Sequence, residues 1–165
     1  EVVLVAGDKD SIQVTELAAK HLKDIGIQAS VVPATTIPAA LVAVSMFEES
    51  GSLQIATDKM ISAIWDVKSV GITIANRDSS TPIGQIATGD SLLLVDGEIQ
   101  AHSKTFLELI PHLVGASKGK EIATLIWGSE IAEDLKISVV QALVGLEIIE
   151  IDGNQDLWQL MAGFE

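Results

Sequence analysis

The sequence predicts an α/β fold of two closely packed α/β lobes, with parallel strands joined by crossover helices and an antiparallel hairpin inserted in the second lobe. Two patterns support this fold class. Up to residue 68, short apolar runs alternate with longer stretches of helical periodicity, an order typical of parallel pairing. From residue 69 onward, extended runs separated by turn residues predict antiparallel pairing as well. We therefore expect two lobes, residues 1–68 and residues 69–165, without a flexible linker between them.

The first lobe is expected to hold two strands and three helices. Apolar runs predict strands over residues 2–6 and 29–32, and apolar periodicity predicts helices over residues 12–25, 37–47 and 53–67. In the first helix the period is carried by Val14, Leu17, Ala18, His21, Leu22 and Ile25. Gly26 follows directly and is a typical helix stop.

The second lobe is expected to be richer in strands. Extended runs predict strands over residues 70–75, 83–87, 91–95, 98–102, 122–127, 146–151 and 157–164. Asp96-Gly97 joins two of these runs and is a strong signal for a tight hairpin turn. Helical periodicity covers residues 105–114 and 130–144, and Pro111 should kink or break the first of these helices. A turn is expected over residues 152–154.

Composition excludes several functional classes. The 165 residues carry a formal net charge of −13, with 14 of the 23 acidic residues in the second lobe, so nucleic acid and anionic membrane surfaces would be repelled. The chain has no cysteine, which removes disulfides and thiolate chemistry. No apolar run reaches the roughly 18 residues of a membrane span, and we expect a cytoplasmic protein without stable membrane insertion. A basic protein face is the natural electrostatic partner.

The segment from Val31 to Leu41 is the most informative local feature. A β-branched strand end leads through two threonines into an apolar helix, and Thr35 or Thr36 lies where an N-cap hydroxyl belongs. Pro38 falls in the first helical turn, where its missing N–H group costs nothing. Such a junction directs free backbone N–H groups to one place, so it predicts either an anion site or simply a well-capped helix.

Asn76-Arg77-Asp78 follows a predicted strand and forms the second candidate site. Arg77 is the only arginine of the chain. Beside Asp78 it suits a bidentate contact with a ligand or partner, or an internal salt bridge. The alternative is a local turn stabilised by Asp78 and the serines that follow. We take Thr35, Thr36, Arg77 and Asp78 as the candidate ligand- or partner-binding residues.

Catalytic and metal sites are not predicted. The histidines at positions 21, 102 and 112 lack the i, i+4 spacing of a helical metal site. The turn at residues 7–11 follows a parallel strand, where ligands often bind, but its single glycine matches neither dinucleotide nor P-loop patterns. No G-x-S-x-G nucleophile elbow occurs. From its residues alone, the chain assembles no catalytic constellation, and we expect no cofactor within it.

Five short segments, in consistent order, carry a resemblance to a known family. They are residues 34–38 (ATTIP), 76–79 (NRDS), 89–90 with 96–99 (GD…DGEI), 126–130 (IWGSE) and 152–155 with 164–165 (DGNQ…FE). Together they resemble the C-terminal region of the large, ATP-binding subunit of bacterial fatty acid kinase, over nearly the whole chain. Two turns depart from the family pattern: residues 7–9 replace its Pro-Asn-Asn, and residues 154–158 replace its Gly-Gln-Pro-x-Tyr.

The resemblance implies a specific role. In that family ATP and magnesium bind a dihydroxyacetone-kinase-like N-terminal domain, which would lie outside this chain, and a separate DegV-type protein holds the fatty acid. The C-terminal region is thought to recognise that partner. The resemblance therefore implies a docking domain, inactive alone, of a parent ATP-dependent kinase. The excess of acidic residues in the second lobe predicts that the interface lies there. A start on a strand, without methionine, also predicts a piece of a longer polypeptide.

Two other functions stay open at this point. One is a small-molecule or phosphate-binding domain in which Thr35, Thr36 and Arg77 converge in a cleft between the lobes. The other is a scaffold that only brings two copies of the parent protein together as a homodimer. A ligand-sized cleft would favour the first function, and a dimeric domain would favour the second.

Overall fold

The protein is described by a computed structural model that covers residues 1–49 and 51–165. The chain divides into two compact units, Glu1–Val67 and Lys68–Glu165, here called the first and the second unit. Each unit combines strands with helices, so the α/β class is confirmed. Among the described residues, no helix has both the length and the apolar character needed to cross a membrane.

The first unit is a two-stranded parallel sheet with three helices. Its elements are β1 (Val2–Val5), α1 (Ser11–Asp24), β2 (Ala29–Val32), α2 (Ile37–Ser45) and α3 (Leu53–Asp66). β1 and β2 pair in parallel, and α1 is the crossover between them, as the sequence predicts. The buried centre consists of Val32, Ala43 and Met60, against which half-buried side chains of β1 and α3 pack.

The second unit is built on a six-stranded sheet. Its elements in chain order are β3 (Lys68–Ile74), β4 (Ser79–Thr81), β5 (Gly84–Ile86), β6 (Ser91–Val95), β7 (Glu98–Ser103), a 3₁₀ helix (Leu107–Leu109), α4 (Ile110–Ala116), β8 (Ile122–Gly128), α5 (Glu133–Ala142), β9 (Glu147–Gln155) and β10 (Trp158–Phe164). The strand order in the sheet is β7-β6-β3-β10-β8-β9, and β4 and β5 form a separate small hairpin.

More strands of this sheet are antiparallel than the single hairpin that the sequence predicts. The β6–β7 hairpin is confirmed, and Asp96 and Gly97 adopt the positive φ angles of its tight turn, 51° and 88°. β3 is also antiparallel to β6, and β10 lies antiparallel between β3 and β8. β8 pairs in parallel with β9, and α5 is the crossover between these two strands.

The apolar core of the second unit packs against one face of the sheet. β8 is buried from Ala123 to Gly128, and its Trp127 side chain joins those of Leu160 and Phe164 from β10. The helices contribute four further fully buried side chains: Leu109, Leu113, Val139 and Leu143. Because these apolar groups are removed from water together, this core holds β8 and β10 at the centre of the unit.

Two local predictions need correction. The 3₁₀ helix ends at Leu109 and α4 begins at Ile110, so Pro111 lies in the first turn of α4 rather than interrupting a helix. In that turn its missing N–H group breaks no helical hydrogen bond. Residues 152–154 lie inside β9 and form no turn. Trp127 is opposite Asp152 whereas Gly128 is opposite Gln155, so the two residues between them form a bulge.

Candidate functional site

The junction between β2 and α2 in the first unit is the first candidate site. Thr36 is the N-cap of α2: its backbone is extended, and its Oγ1 accepts a 3.4 Å hydrogen bond from the N–H of Ala39. Pro38 lies in the first turn of the helix, as the sequence predicts. Thr35 is exposed. Capping by Thr36 is thus confirmed, whereas an anion site at this junction stays a prediction.

Thr36→Ala is expected to lower the free energy of unfolding by about 1 kcal/mol, because the N–H of Ala39 loses its acceptor. Thr35→Ala, at the neighbouring exposed position, should change it by less than about 0.5 kcal/mol. Urea unfolding followed by circular dichroism measures both values. Equal effects of the two substitutions would contradict the assignment of the cap to Thr36.

The second candidate site fastens two loops of the second unit together. Oδ1 of Asp78, which follows β3, accepts hydrogen bonds from the backbone N–H (2.7 Å) and the hydroxyl (2.8 Å) of Thr88, which follows β5. These bonds, the backbone one foremost, hold the pKa of Asp78 below its usual value. Arg77 is exposed, and no ion pair within residues 1–49 and 51–165 involves it. Asp78 therefore takes the local turn-stabilising role that the sequence left open.

Asp90, which precedes β6, is a buried carboxylate that sequence reasoning missed. Its side chain is 5% exposed. Oδ1 accepts a 2.6 Å bond from Nζ of Lys104, and Oδ2 accepts a 3.0 Å bond from the backbone N–H of Ala87. Nδ1 of His102 lies 3.6 Å from Oδ2. Lys104 first, and then the Ala87 N–H, lower the pKa of Asp90. The cluster thus ties the start of β6 to the end of β7.

Asp90 makes the stability of the chain depend on pH. Since folding lowers its pKa, its stabilising contribution is present above the ordinary value of 3.8 and is lost as the pH falls through the lower folded value. Asp90→Asn should therefore destabilise the chain at pH 7 and have a smaller effect at pH 3 or below. Thermal unfolding at both pH values measures the difference. An equal loss of stability at pH 7 and at pH 3 would mean that the charge of the Asp90 carboxylate does not stabilise the fold.

The polar groups of this second site mostly satisfy one another. Asp78 bonds to Thr88, Asp90 bonds to Lys104, and His102 turns its Nδ1 toward the Asp90 carboxylate. Within the described ranges, no three histidine or carboxylate side chains come together in a way that could hold a metal ion. These contacts hold the loops around β4, β5 and β6 in place.

Five of the six residues that give α1 its period face solvent, and Leu22 is the exception. Val14, Leu17 and Ile25 are 67%, 66% and 61% exposed, and Ala18 and His21 lie exposed between them. We call these five residues the α1 stripe. They run over about three helical turns, from the first half of the helix to its C-cap.

The core contact of α1 uses a different face. Ala19 is its one buried residue, and three half-buried side chains lie beside it: Ile12, Thr15 and Leu22. At about 100° per residue, this set occupies the sector next to the α1 stripe. The apolar surface of the helix is therefore wider than the part that its own core covers. The sequence pattern identified the helix correctly but could not tell which apolar face would be buried.

Comparison with known proteins gives a family for the whole chain. A model of the FakA-like C-terminal family, described as the C-terminal part of proteins like the A subunit of fatty acid kinase, matches residues 1–165. Protein YloV of Bacillus subtilis is 28% identical over 144 residues, which make up 84% of this chain and 26% of that protein. The chain thus spans about a quarter of the length of the curated relatives it matches.

Solved structures share the fold at low sequence identity. A DegV family protein from Ruminococcus gnavus, refined with vaccenic acid, has a TM-score of 0.66 at 10% identity and aligns over 99% of this chain and 71% of its own. The dihydroxyacetone kinase from C. freundii in complex with AMP-PNP and Mg²⁺ has a TM-score of 0.62 at 11% identity, over 98% of this chain and 38% of its own. At these identities the likeness establishes the fold alone.

Proposed function

The chain belongs to the FakA-like family of fatty acid kinase C-terminal domains, and on that premise we propose that it is a docking domain without kinase activity of its own. Its partner is a DegV-type fatty-acid-binding protein, and the bound fatty acid is phosphorylated by another part of the parent protein. ATP and magnesium are bound by that other part. The domain brings the partner to the kinase.

The observation that supports docking is the exposure of the α1 stripe. Apolar surface costs free energy in water, about 25 cal/mol for each Å². The large side chains of Val14, Leu17 and Ile25 lie in one line on the helix, so they form a patch rather than scattered exposed residues. Burying one such side chain against a partner contributes about 1.5–3 kcal/mol. A helix face of this kind fits an apolar groove on a folded protein.

Charge supports the same proposal through the rate of encounter. The second unit contains 14 acidic and 6 basic residues. Such a field attracts a partner with a basic face and acts mainly on the association rate, while close apolar contacts set how long the complex lasts. We therefore assign contact to the α1 stripe and electrostatic steering to the acidic second unit.

Association kinetics with a DegV-type fatty-acid-binding protein test this division of roles. The association rate should fall as salt is raised, because salt screens charges beyond about 8–10 Å. The double reversal Glu130→Lys/Glu147→Lys, at two exposed positions of the second unit, should lower that rate several-fold and leave the dissociation rate nearly unchanged.

The matched control makes the same change of net charge in the first unit. It is Glu1→Lys/Glu49→Lys, also at exposed positions and outside α1. An equal fall in rate for both variants would assign steering to the whole chain rather than to the second unit. No association at any salt concentration, with a folded chain and a loaded partner, would contradict docking itself.

A further inference from the structure

A cavity in the second unit lies between the β6–β7 hairpin and α4. It has a volume of about 390 Å³ and is lined by Lys68, Leu93, Val95, Gln100, His112 and Ala116. Sites for small molecules in proteins usually have volumes of about 300–1,000 Å³. None of the lining residues belongs to the Asp78 and Asp90 cluster or to the β2–α2 junction, so this is a separate site.

The lining of the cavity divides into an apolar part and a polar part. Leu93 and Val95 of β6 and Ala116 of α4 supply aliphatic carbon, and the Leu93 side chain is fully buried. The polar part consists of Lys68, Gln100 and His112. No carboxylate lines the cavity, although the second unit has more than twice as many acidic as basic residues. An anion is therefore not repelled at this place as it would be elsewhere on the unit.

The polar groups of the lining are available to a ligand. Within the part of the chain that the structure describes, the side chains of Lys68, Gln100 and His112 make no hydrogen bond or ion pair. Lys68 is half-buried at the start of β3. Its ammonium group has no counter-charge in the cavity lining. A bound carboxylate would supply that counter-charge.

A bulge in β7 places Gln100 at this cavity. Leu93 is opposite Ala101 and Leu94 is opposite Ile99, so Gln100 is the extra residue without a partner in the register. Bulges of this kind re-aim a side chain and are frequent next to binding sites. The bulge thus adds an amide to the ammonium group of Lys68 and the imidazole of His112, and an amide N–H donates hydrogen bonds to a carboxylate.

We propose that this cavity binds a small monocarboxylate with a short alkyl body. The carboxylate accepts hydrogen bonds from Lys68 and Gln100, with His112 beside it, and the alkyl part packs against Val95. Charge-assisted bonds to an ammonium group are stronger than those between neutral groups, so Lys68 carries most of the preference for an anion. The site is independent of the docking proposal, because it lies within the second unit and needs no partner protein.

Titration of the full chain with hexanoate tests the proposal, with binding followed by the backbone amide signals of Gln100 and Ala116 in NMR spectra. We expect saturable shifts at these amides. Lys68→Met and the neutral probe hexanamide should each weaken binding about tenfold or more. Lys118→Met removes an exposed lysine outside the cavity and should leave the affinity unchanged. Inorganic phosphate, which has no alkyl body, should bind much more weakly than hexanoate.

Three results would overturn the proposal or a part of it. Absence of shifts in a folded chain at about 10 mM hexanoate would overturn it entirely. Even a weak specific site, with a dissociation constant of about 1 mM, would be mostly occupied at that concentration. Equal affinity for hexanoate and hexanamide, or for the wild-type chain and Lys68→Met, would overturn the role of charge. Ala116→Leu narrows the cavity from its other side, and hexanoate binding that survives this change in a folded chain would place the ligand elsewhere.

Discussion

Leu17→Asp is expected to weaken binding of the DegV-type partner about a hundredfold while the chain stays folded. Leu17 is 66% exposed, so the substitution removes little from the core of the first unit. In the proposed complex, however, an apolar side chain is lost and a charge enters an interface that excludes water. Loss of the burial energy together with the desolvation of a carboxylate accounts for an effect of that size. Calorimetric titration of the variant measures it.

The control for this variant is Gln28→Asp. It adds the same single charge at an exposed position between α1 and β2, outside the α1 stripe. Its affinity should stay within about twofold of the wild-type value, because a charge at the rim of an interface acts mainly through screened, long-range forces. A similar loss for both variants would mean that charge rather than apolar contact governs binding, and the α1 stripe would then not be the docking surface.

Among the glycine-to-alanine substitutions of the second unit, Gly128→Ala is expected to be the most destabilising. A Cβ atom at this position would lie 2.2 Å from the carbonyl oxygen of Trp158 and 3.1 Å from that of Gln155. Both contacts are with backbone, so no side chain can rotate away. β8 would have to shift relative to the chain on both of its sides, and we expect a loss of about 3 kcal/mol in the free energy of unfolding.

Gly115→Ala, in the same unit, is expected to raise the free energy of unfolding rather than lower it. Gly115 lies in α4, and a Cβ atom there meets nothing within 4 Å. Alanine favours a helix over glycine, so this variant should gain about 0.5–1 kcal/mol. Chemical unfolding of both variants gives the comparison. A loss below about 1 kcal/mol for Gly128→Ala would contradict the close backbone approach at the end of β8.

Features encoded by neighbouring residues could be predicted from the sequence. The Thr36 cap, the position of Pro38 and the Asp96-Gly97 hairpin all depend on residues within a few positions of one another, and all are confirmed. The order of the sheet was not predicted. β10 lies at the end of the chain and inserts between β3 and β8, a choice made by long-range packing. Local periodicity carries no information about such a choice.

The contact between Asp90 and Lys104 could not be predicted from the sequence, because it depends on one extra residue in β7. Counting outward from the Asp96-Gly97 turn without a bulge would place Ser103, rather than Lys104, opposite Asp90. The bulge at Gln100 shifts the register by one, so Ser91 is opposite Ser103 and Lys104 reaches the Asp90 carboxylate. A single sequence does not show whether a strand contains a bulge, because the side-chain pattern on either side of it is regular.

Calorimetric titration of the chain with a fatty-acid-loaded DegV-type protein, without ATP, tests the docking proposal most directly. Titrations at two temperatures are needed, because burial of apolar surface makes the enthalpy of binding depend on temperature. If the enthalpy happens to be near zero at one temperature, binding is still detected at the other. We expect saturable binding that weakens as salt is raised. No heat at either temperature, from a folded chain and a loaded partner, would contradict the docking proposal.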